Sequence, residues 1–298
     1  MDSRDIKEEP SIPKDNKYLE SIYEMQKQLL DSYISIEGLP KYPLNINTKT
    51  NQLILKDFTS RVIEELAEAY ESLLLVEELT ITKQNWFTIS STSIDSFVEC
   101  MNHLQNASEE MADALHFFIE LLIYTNIQPE DINSYIESKL PKNKRQNFSN
   151  TLEYGMALGK QWLTNMNQVP DVKKKNLVNL IHKYEQVKVD FDIPEYNIKL
   201  LHCGEDYNYE LYNSYKSYLW DITYELNISR NFLKNKPWKQ SQMMTNELAY
   251  QEEIVKSFIL FLGTLNIMGV NGSNLYYIYF KKNKICLLYT SPSPRDTR

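Results

Sequence analysis

Apolar side chains recur every three or four positions along most of this chain, and no stretch shows the sustained apolar–polar alternation of a β-strand. The helical period is clearest over residues 19–30 and 58–76. The 298 residues include only 7 glycines, which argues against Rossmann and P-loop architectures because both place glycines at phosphate-binding turns. The sequence therefore predicts an all-α protein, a helical bundle whose helices are joined by short polar loops.

The same pattern predicts two helical halves between unstructured ends. We expect a disordered lead at 1–16, a bundle with two acidic helices at 17–140, a second helical half at 141–285 and an unstructured tail at 286–298. Helices are predicted near residues 17–35, 53–79, 108–126, 151–167, 171–189, 205–233 and 246–268, with a short helix from Pro129 and a loop over 80–96. Ser108 is the predicted N-cap of the third helix.

Charge and cysteine content argue against several classes of function. The formal net charge is −8, so the chain has no general attraction for nucleic acid, and binding a polyphosphate would require bridging cations. Cys100, Cys203 and Cys286 lie far apart and match no zinc or disulfide spacing. The charged N-terminus lacks an apolar secretory segment, and the apolar run 254–270 is short for a membrane span and contains Lys256. We expect a cytoplasmic protein that binds neither nucleic acid nor membrane.

Two of the predicted helices each carry a pair of acids three residues apart. Glu65 and Glu68 share one face of the second helix, and Glu110 and Asp113 share one face of the third. Apolar residues flank both pairs, so antiparallel packing would bring four carboxylates together at the edge of a core. Four carboxylates in such a place cannot all ionise without a compensating cation. Hard oxygen ligands favour Mg²⁺ or Mn²⁺.

Each acidic pair has a simpler interpretation when it is taken alone, since Glu-rich helix faces are commonly just solvated. The occurrence of both pairs, in order on two neighbouring helices, favours a metal site. His116 lies one turn after Asp113 and beside Phe117, and we expect it to be packed in the core rather than bound to the metal.

An ExxE motif followed by an ExxD motif on the next long helix resembles the all-α NTP pyrophosphatase superfamily, which includes MazG-like enzymes and dimeric dUTPases. Three segments are similar to its dimeric dUTPase and phage dCTPase–dUTPase branch. They are the pocket segment 25–31 (MQKQLLD), the second-motif segment 113–117 (DALHF) and the C-terminal Lys-Asn segment 279–283 (YFKKN). Leu30 stands where the branch has Asn. The resemblance covers residues 17–127 well and 205–285 more loosely.

This resemblance implies hydrolysis of a nucleoside triphosphate, dUTP or dCTP, between the α- and β-phosphates, giving the nucleoside monophosphate and pyrophosphate. The bundle 17–140 would be catalytic, 141–285 would complete the nucleotide site, and Mg²⁺ or Mn²⁺ would be the cofactor. The implied metal ligands are Glu65, Glu68, Glu110 and Asp113, and Glu65 would also orient the attacking water. The expected nucleotide-binding residues are Gln26, Asp31, Lys56, Arg61, Lys281, Lys282 and Asn283. A homodimer is expected, in the host cytoplasm if a phage encodes it.

Two other functions fit the same sequence. A MazG-like hydrolase of broader or modified-nucleotide specificity would use the same acids. A non-catalytic helical scaffold or interaction protein would use them only for solvation, and Mg²⁺ would then leave its melting temperature unchanged.

The second half contains an echo of the acidic helices. Residues 252–262 align with 109–119, with Lys256 in place of Asp113, and Glu225 aligns with Glu65. This similarity indicates either a degenerate repeat or chance likeness between amphipathic helices. We predict no metal site there, with Lys256 neutralising nearby acids or contacting phosphate.

The last residues, 287–298 (LLYTSPSPRDTR), resemble translated sequencing-adapter sequence rather than evolved protein. We expect them to pack against nothing, because Pro292 and Pro294 cannot continue a helix and no apolar period is present. In the resembled family the corresponding segment closes over the triphosphate. The chain as written is therefore expected to bind Mg²⁺ but to hydrolyse its substrate poorly.

Overall fold

The computed structural model describes residues 6–82, 91–139, 151–167, 209–236 and 238–290. Within these ranges it contains eight α-helices and no strand, which confirms the all-α prediction. The helices are α1 (Tyr18–Glu37), α2 (Lys49–Thr82), α3 (Ser91–Tyr124), α4 (Pro129–Lys139), α5 (Thr151–Asn167), α6 (Tyr209–Arg230), α7 (Glu247–Ile267) and α8 (Gly272–Thr290).

The two longest helices, α2 and α3, run antiparallel and make the most extensive helix pair in the described chain. Near the start of α2, Phe58 stacks on Tyr124 at the end of α3, with ring centroids 4.9 Å apart. Further along α2, Leu73 lines the same small apolar cavity as Leu104 from the first half of α3. The apolar stripe that the sequence placed on each helix is therefore buried against the other helix.

The remaining helices enclose this pair. Helices α1 and α8 lie against each other and against α3, while α5 and α6 both pack on α7, and α6 also contacts α2. Tyr23 connects α1 to the loop between α3 and α4, because its hydroxyl donates a hydrogen bond of 3.2 Å to the carbonyl of Ile127. Helix α1 is followed by its C-cap Gly38, which adopts the left-handed conformation (φ 71°) that a glycine accepts without strain.

Several predicted boundaries are wrong. Helix α3 begins at Ser91, and Ser108 lies in its interior, where the hydroxyl bonds to the carbonyl of Leu104 (3.0 Å) instead of capping a helix. The predicted loop at 80–96 is helical at both ends, and its centre lies outside the described residues. Helix α8 was not predicted, and the helix expected over 171–189 also lies outside the described residues.

Residues 6–16 and 286–290 are more ordered than the sequence indicated. The lead runs along α8, where the Lys281 ammonium donates to the carbonyls of Ile6 and Glu8 and the Tyr276 hydroxyl donates to the carbonyl of Ser11. Residues 6–16 are therefore not a disordered lead. Helix α8 continues to Thr290, so the tail does not begin at 286; the first helix-breaking proline comes two residues after its end. Residues 1–5 and 291–298 lie outside the described residues.

Among the described helices, none is by itself both long and apolar enough to cross a membrane. Helices α7 and α8 meet that requirement only when they are counted together, and they are bent by 105° relative to each other.

Gly159 generates a prediction about the α5–α7 contact. A Cβ atom at this position would lie 2.0 Å from the carbonyl oxygen of Ile259, a backbone atom that cannot rotate away. We expect Gly159→Ala to lower the free energy of unfolding by about 3 kcal/mol, the upper part of the range for overpacked cores. Urea unfolding followed by circular dichroism measures this change.

Gly155→Ala is the matched control for this prediction. Gly155 lies one turn earlier on α5, and its added Cβ would meet two side-chain ends, the Cδ1 of Leu262 at 2.7 Å and that of Ile136 at 3.7 Å. The Leu262 side chain has other rotamers, and both substitutions gain the same helix propensity of about 1 kcal/mol. Equal destabilisation by the two variants would contradict the close crossing of α5 and α7.

Candidate metal and nucleotide site

Three of the four predicted metal ligands converge where α2 and α3 face each other. One carboxylate oxygen from each of Glu65, Glu68 and Glu110 lies within 4.8 Å of the others. The antiparallel register produces this arrangement, because it sets the acid pair of one helix opposite that of the other. The fourth acid, Asp113, lies beside this cluster and receives an ion pair of 2.7 Å from Lys282 of α8.

The carboxylates of this cluster are costly to ionise. Burial, followed by the charges of Asp113, Glu110 and Glu68, raises the pKa of Glu65 to about 8. Burial and then Asp113 also raise the pKa of Glu110. The hydrogen bond between Glu65 and Glu110 raises the pKa of the first and lowers that of the second, so protonated Glu65 is the donor.

Lys282 supplies a positive charge to the cluster from a distant part of the sequence. Burial works against its ionisation, but the contact with Asp113 outweighs burial and raises the pKa of the ammonium. Burial raises the pKa of Asp113, and Lys282 partly offsets that rise. One ammonium faces four acids, so the protein itself does not supply enough positive charge to compensate all of them if they ionise.

This donor set suits a small divalent cation. It consists of carboxylate oxygens alone, which favours Mg²⁺ or Mn²⁺ over softer metals. The spread of 4.8 Å among the oxygens of Glu65, Glu68 and Glu110 is close to the ~4 Å between opposite ligands of a six-coordinate Mg²⁺. Small side-chain rotations would bring the three carboxylate oxygens within bonding distance of one ion. The residues therefore fit Mg²⁺ or Mn²⁺, the ions that the sequence predicted.

An open cleft of about 540 Å³ begins one helical turn from the acids. Arg61 and Phe117 line it, and they are four residues from Glu65 and Asp113 on the same helix faces. The Arg61 guanidinium lies over the ring of Phe117 at 5.6 Å and also contacts Asp57 at 3.1 Å. Aromatic and aliphatic side chains form most of the remaining wall. Cavities of this size and composition are typical of small-molecule sites.

A buried polar relay closes the inner part of this cleft. Glu120, which lines the cleft and is 6% exposed, accepts a hydrogen bond of 2.8 Å from the side-chain amide of Gln26. The carbonyl of that amide accepts from the Tyr279 hydroxyl of α8, which also bonds to the side chain of Asn283. Burial raises the pKa of Glu120 to about 7, against the opposing effects of Arg61 and Gln26.

His116 is buried, as the sequence predicted. Its ring stacks on that of Tyr279 with centroids 4.2 Å apart. Burial, and then the charge of Lys282, lower the pKa of His116 to about 3, so the imidazole is neutral at physiological pH. Its role in this structure is to pack α3 against α8.

Two of the lysines expected to bind the nucleotide lie elsewhere. Lys56 donates to the carbonyl of Leu233, after the end of α6, and Lys281 is buried against the lead. Neighbouring residues on a helix point about 100° apart, so Lys281 and Lys282 cannot both face the acids. Asp31 accepts a hydrogen bond of 3.1 Å from Tyr42.

Sequence reasoning missed Glu120. The signal was present, because the acidic face of α3 continues from Glu110 and Asp113 through Phe117 to Glu120 at helical spacing. Its partner Gln26 lies 94 residues away in the chain, so no local pattern joins the two side chains.

A second acidic cluster, between α6 and α7, contains its own cation. The Lys256 ammonium lies 2.8 Å from Glu225 and 3.8 Å from Glu253. The prediction that Lys256 neutralises nearby acids is therefore confirmed, while the degenerate repeat stays a prediction. In the described ranges, Glu65, Glu68 and Glu110 are the one set of three His, Cys, Asp or Glu side chains close enough to hold an ion.

No protein-family model matches this chain, and neither the curated proteins nor the solved structures contain a match.

The raised pKa of Glu65 predicts how the stability of the metal-free protein depends on pH. A carboxyl group whose pKa rises on folding, here from 4.5 to about 8, binds its proton more tightly in the folded state. Stability is therefore lost as the pH rises from about 4.5 to about 8. We expect urea unfolding in EDTA to show a lower free energy of unfolding at pH 8 than at pH 5.5.

Glu65→Gln is the control, because it removes this titration and keeps that of Glu120. The variant should lose less stability than the wild type between these two pH values. Adding Mg²⁺ should raise the wild-type melting temperature more at pH 8, where the carboxylates are ionised, than at pH 5.5. An identical pH dependence in both proteins would mean that Glu65 does not hold the proton.

Proposed function

We propose that this protein is a Mg²⁺-dependent nucleoside triphosphate pyrophosphohydrolase acting on dCTP or dUTP. One observation carries the proposal, namely that a three-carboxylate cluster and an aromatic-walled cleft of nucleoside size occupy the same faces of α2 and α3. The resemblance of the two acidic motifs to the all-α NTP pyrophosphatases supports the same reaction.

The spacing of cleft and acids suits a nucleoside triphosphate. Four residues of helix separate Phe117 in the cleft from Asp113 in the cluster, a rise of about 6 Å. A base held in the cleft would place the sugar beside Arg61 and the phosphates against the acids. Phosphates and carboxylates repel each other, so a bridging cation is required, and the donor set of the cluster supplies its ligands.

The protein's own groups would act as follows. Glu65, Glu68 and Glu110 would hold Mg²⁺, with Asp113 at the edge of the set, and the bound ion would neutralise charge on the phosphate oxygens. Glu65, once ionised, would accept a proton from the attacking water. The water oxygen bonds to the α-phosphorus, the bond from that phosphorus to the bridging oxygen breaks, and pyrophosphate leaves with the electron pair. Lys282 would offset the charge of the leaving group.

A pyrophosphate-release assay across the dNTPs and NTPs tests this proposal. With Mg²⁺ we expect release from dCTP or dUTP, and mass spectrometry should identify the nucleoside monophosphate as the second product. Glu68→Gln should reduce kcat/KM by at least about 100-fold, because it removes a ligand charge. Folding should be intact or slightly more stable, because a like charge is removed from the cluster.

Glu64→Gln is the matched control. Glu64 is exposed on the neighbouring face of α2 and should be dispensable. Retention of most activity by the Glu68 variant would exclude its role as a ligand. Absence of pyrophosphate release from every nucleotide, together with no effect of Mg²⁺ on the melting temperature, would favour the non-catalytic scaffold instead.

A further inference from the structure

The polar groups in the cleft are mostly hydrogen-bond acceptors. Three carboxylates line it, from Glu37, Asp57 and Glu120, against the single guanidinium of Arg61. That guanidinium is already engaged by Asp57 at 3.1 Å. The Tyr33 hydroxyl, the remaining polar side-chain group in this wall, is hydrogen-bonded to Cys286. A ligand in the cleft therefore meets three acceptor side chains and one charged donor, Arg61.

Glu120 is held in one orientation by neighbours on two other helices. The side-chain nitrogen of Gln26 donates to its Oε1 at 2.8 Å. The side-chain amide of Gln26 cannot flip, because its oxygen accepts a hydrogen bond from the Tyr279 hydroxyl. Within the described chain, this amide is the side-chain donor that Glu120 engages, which leaves the other carboxylate oxygen available to a ligand in the cleft.

Cytosine and uracil present opposite groups to such an oxygen. At carbon 4 cytosine has an amino group, which donates, whereas uracil has a carbonyl, which accepts. A carboxylate bonds to the amino group and repels the carbonyl, and a polar group that loses its partner on binding lowers affinity strongly. The ring of Phe117 in the same wall is partly exposed and provides a surface against which a base can stack.

We infer that Glu120 is a specificity-determining residue that accepts a hydrogen bond from the amino group of cytosine, so that the site selects dCTP over dUTP. This inference rests on the proposed function for the placement of the base. Gln26 and Tyr279 are positioning residues, because they fix the carboxylate without reaching the cleft themselves.

Glu120→Gln tests this inference sharply. The Gln26 nitrogen will keep the new side-chain oxygen as its acceptor, which turns the new amide nitrogen towards the cleft. The group that faces the base thus changes from an acceptor to a donor, and a donor suits the uracil carbonyl. We expect the wild type to bind the α,β-imido analogue of dCTP at least about tenfold more tightly than that of dUTP, and the variant to reverse this preference.

Glu64→Gln is the matched control, since Glu64 is exposed on α2 and lies outside the set of residues that line the cleft. It should leave the ratio of the two dissociation constants unchanged. Isothermal titration calorimetry in Mg²⁺ at pH 8, above the pKa of about 7 that burial gives Glu120, measures each constant with the full chain. Thermal unfolding checks that each variant is folded. A ratio that is the same in the wild type and the Glu120 variant, or failure of both analogues to bind the wild type, would overturn the inference.

Hydrolysis of dCTP and dUTP is measured separately, so that the two proposals fail in different ways. Reversed binding without pyrophosphate release supports the base contact and refutes the hydrolase. Pyrophosphate release with an unchanged binding ratio supports the hydrolase and refutes the base contact.

Discussion

The antiparallel pairing of α2 and α3 is the contact on which the rest of this structure depends. It buries Leu66 and Ala69 of one helix against the core that Met111 and Ala114 of the other help to form. Each large apolar side chain that is fully buried contributes about 1.5–3 kcal/mol. Summed along both helices, this burial outweighs the repulsion among the acids, which are held together at the edge of the interface as a consequence.

Helix α8 connects the two parts of the candidate site. Its residues at helical spacing reach different targets, since Lys282 meets Asp113 while Tyr279 reaches the amide that orients Glu120. On another face of the same helix, Lys281 binds the lead. One helix thus adjusts the charge of the acidic cluster, fixes the polar end of the cleft and anchors the start of the chain.

The two acidic clusters handle like-charge repulsion differently. Between α6 and α7, the Lys256 ammonium lies 2.8 Å from Glu225, so a lysine of the protein itself supplies the positive charge. Between α2 and α3, Lys282 pairs with Asp113. Repulsion among the three converging glutamates is reduced by the proton on Glu65, whose pKa is raised. A divalent cation can displace that proton. The proposed chemistry is therefore placed at the cluster between α2 and α3.

The sequence by itself determined the helical class, most helices of the described chain and both acidic pairs, because a period of 3.6 residues is a local property. Tertiary structure decided the rest. The orientation of successive side chains around α8 sends Lys282 to the acids and Lys281 away from them. Glu120 is oriented in the site by Gln26, which is 94 residues away in the sequence. Lys56 lies outside the site, because it donates to the carbonyl of Leu233. Local patterns show which face of a helix is apolar or charged, but the neighbour that this face meets depends on how the helices pack.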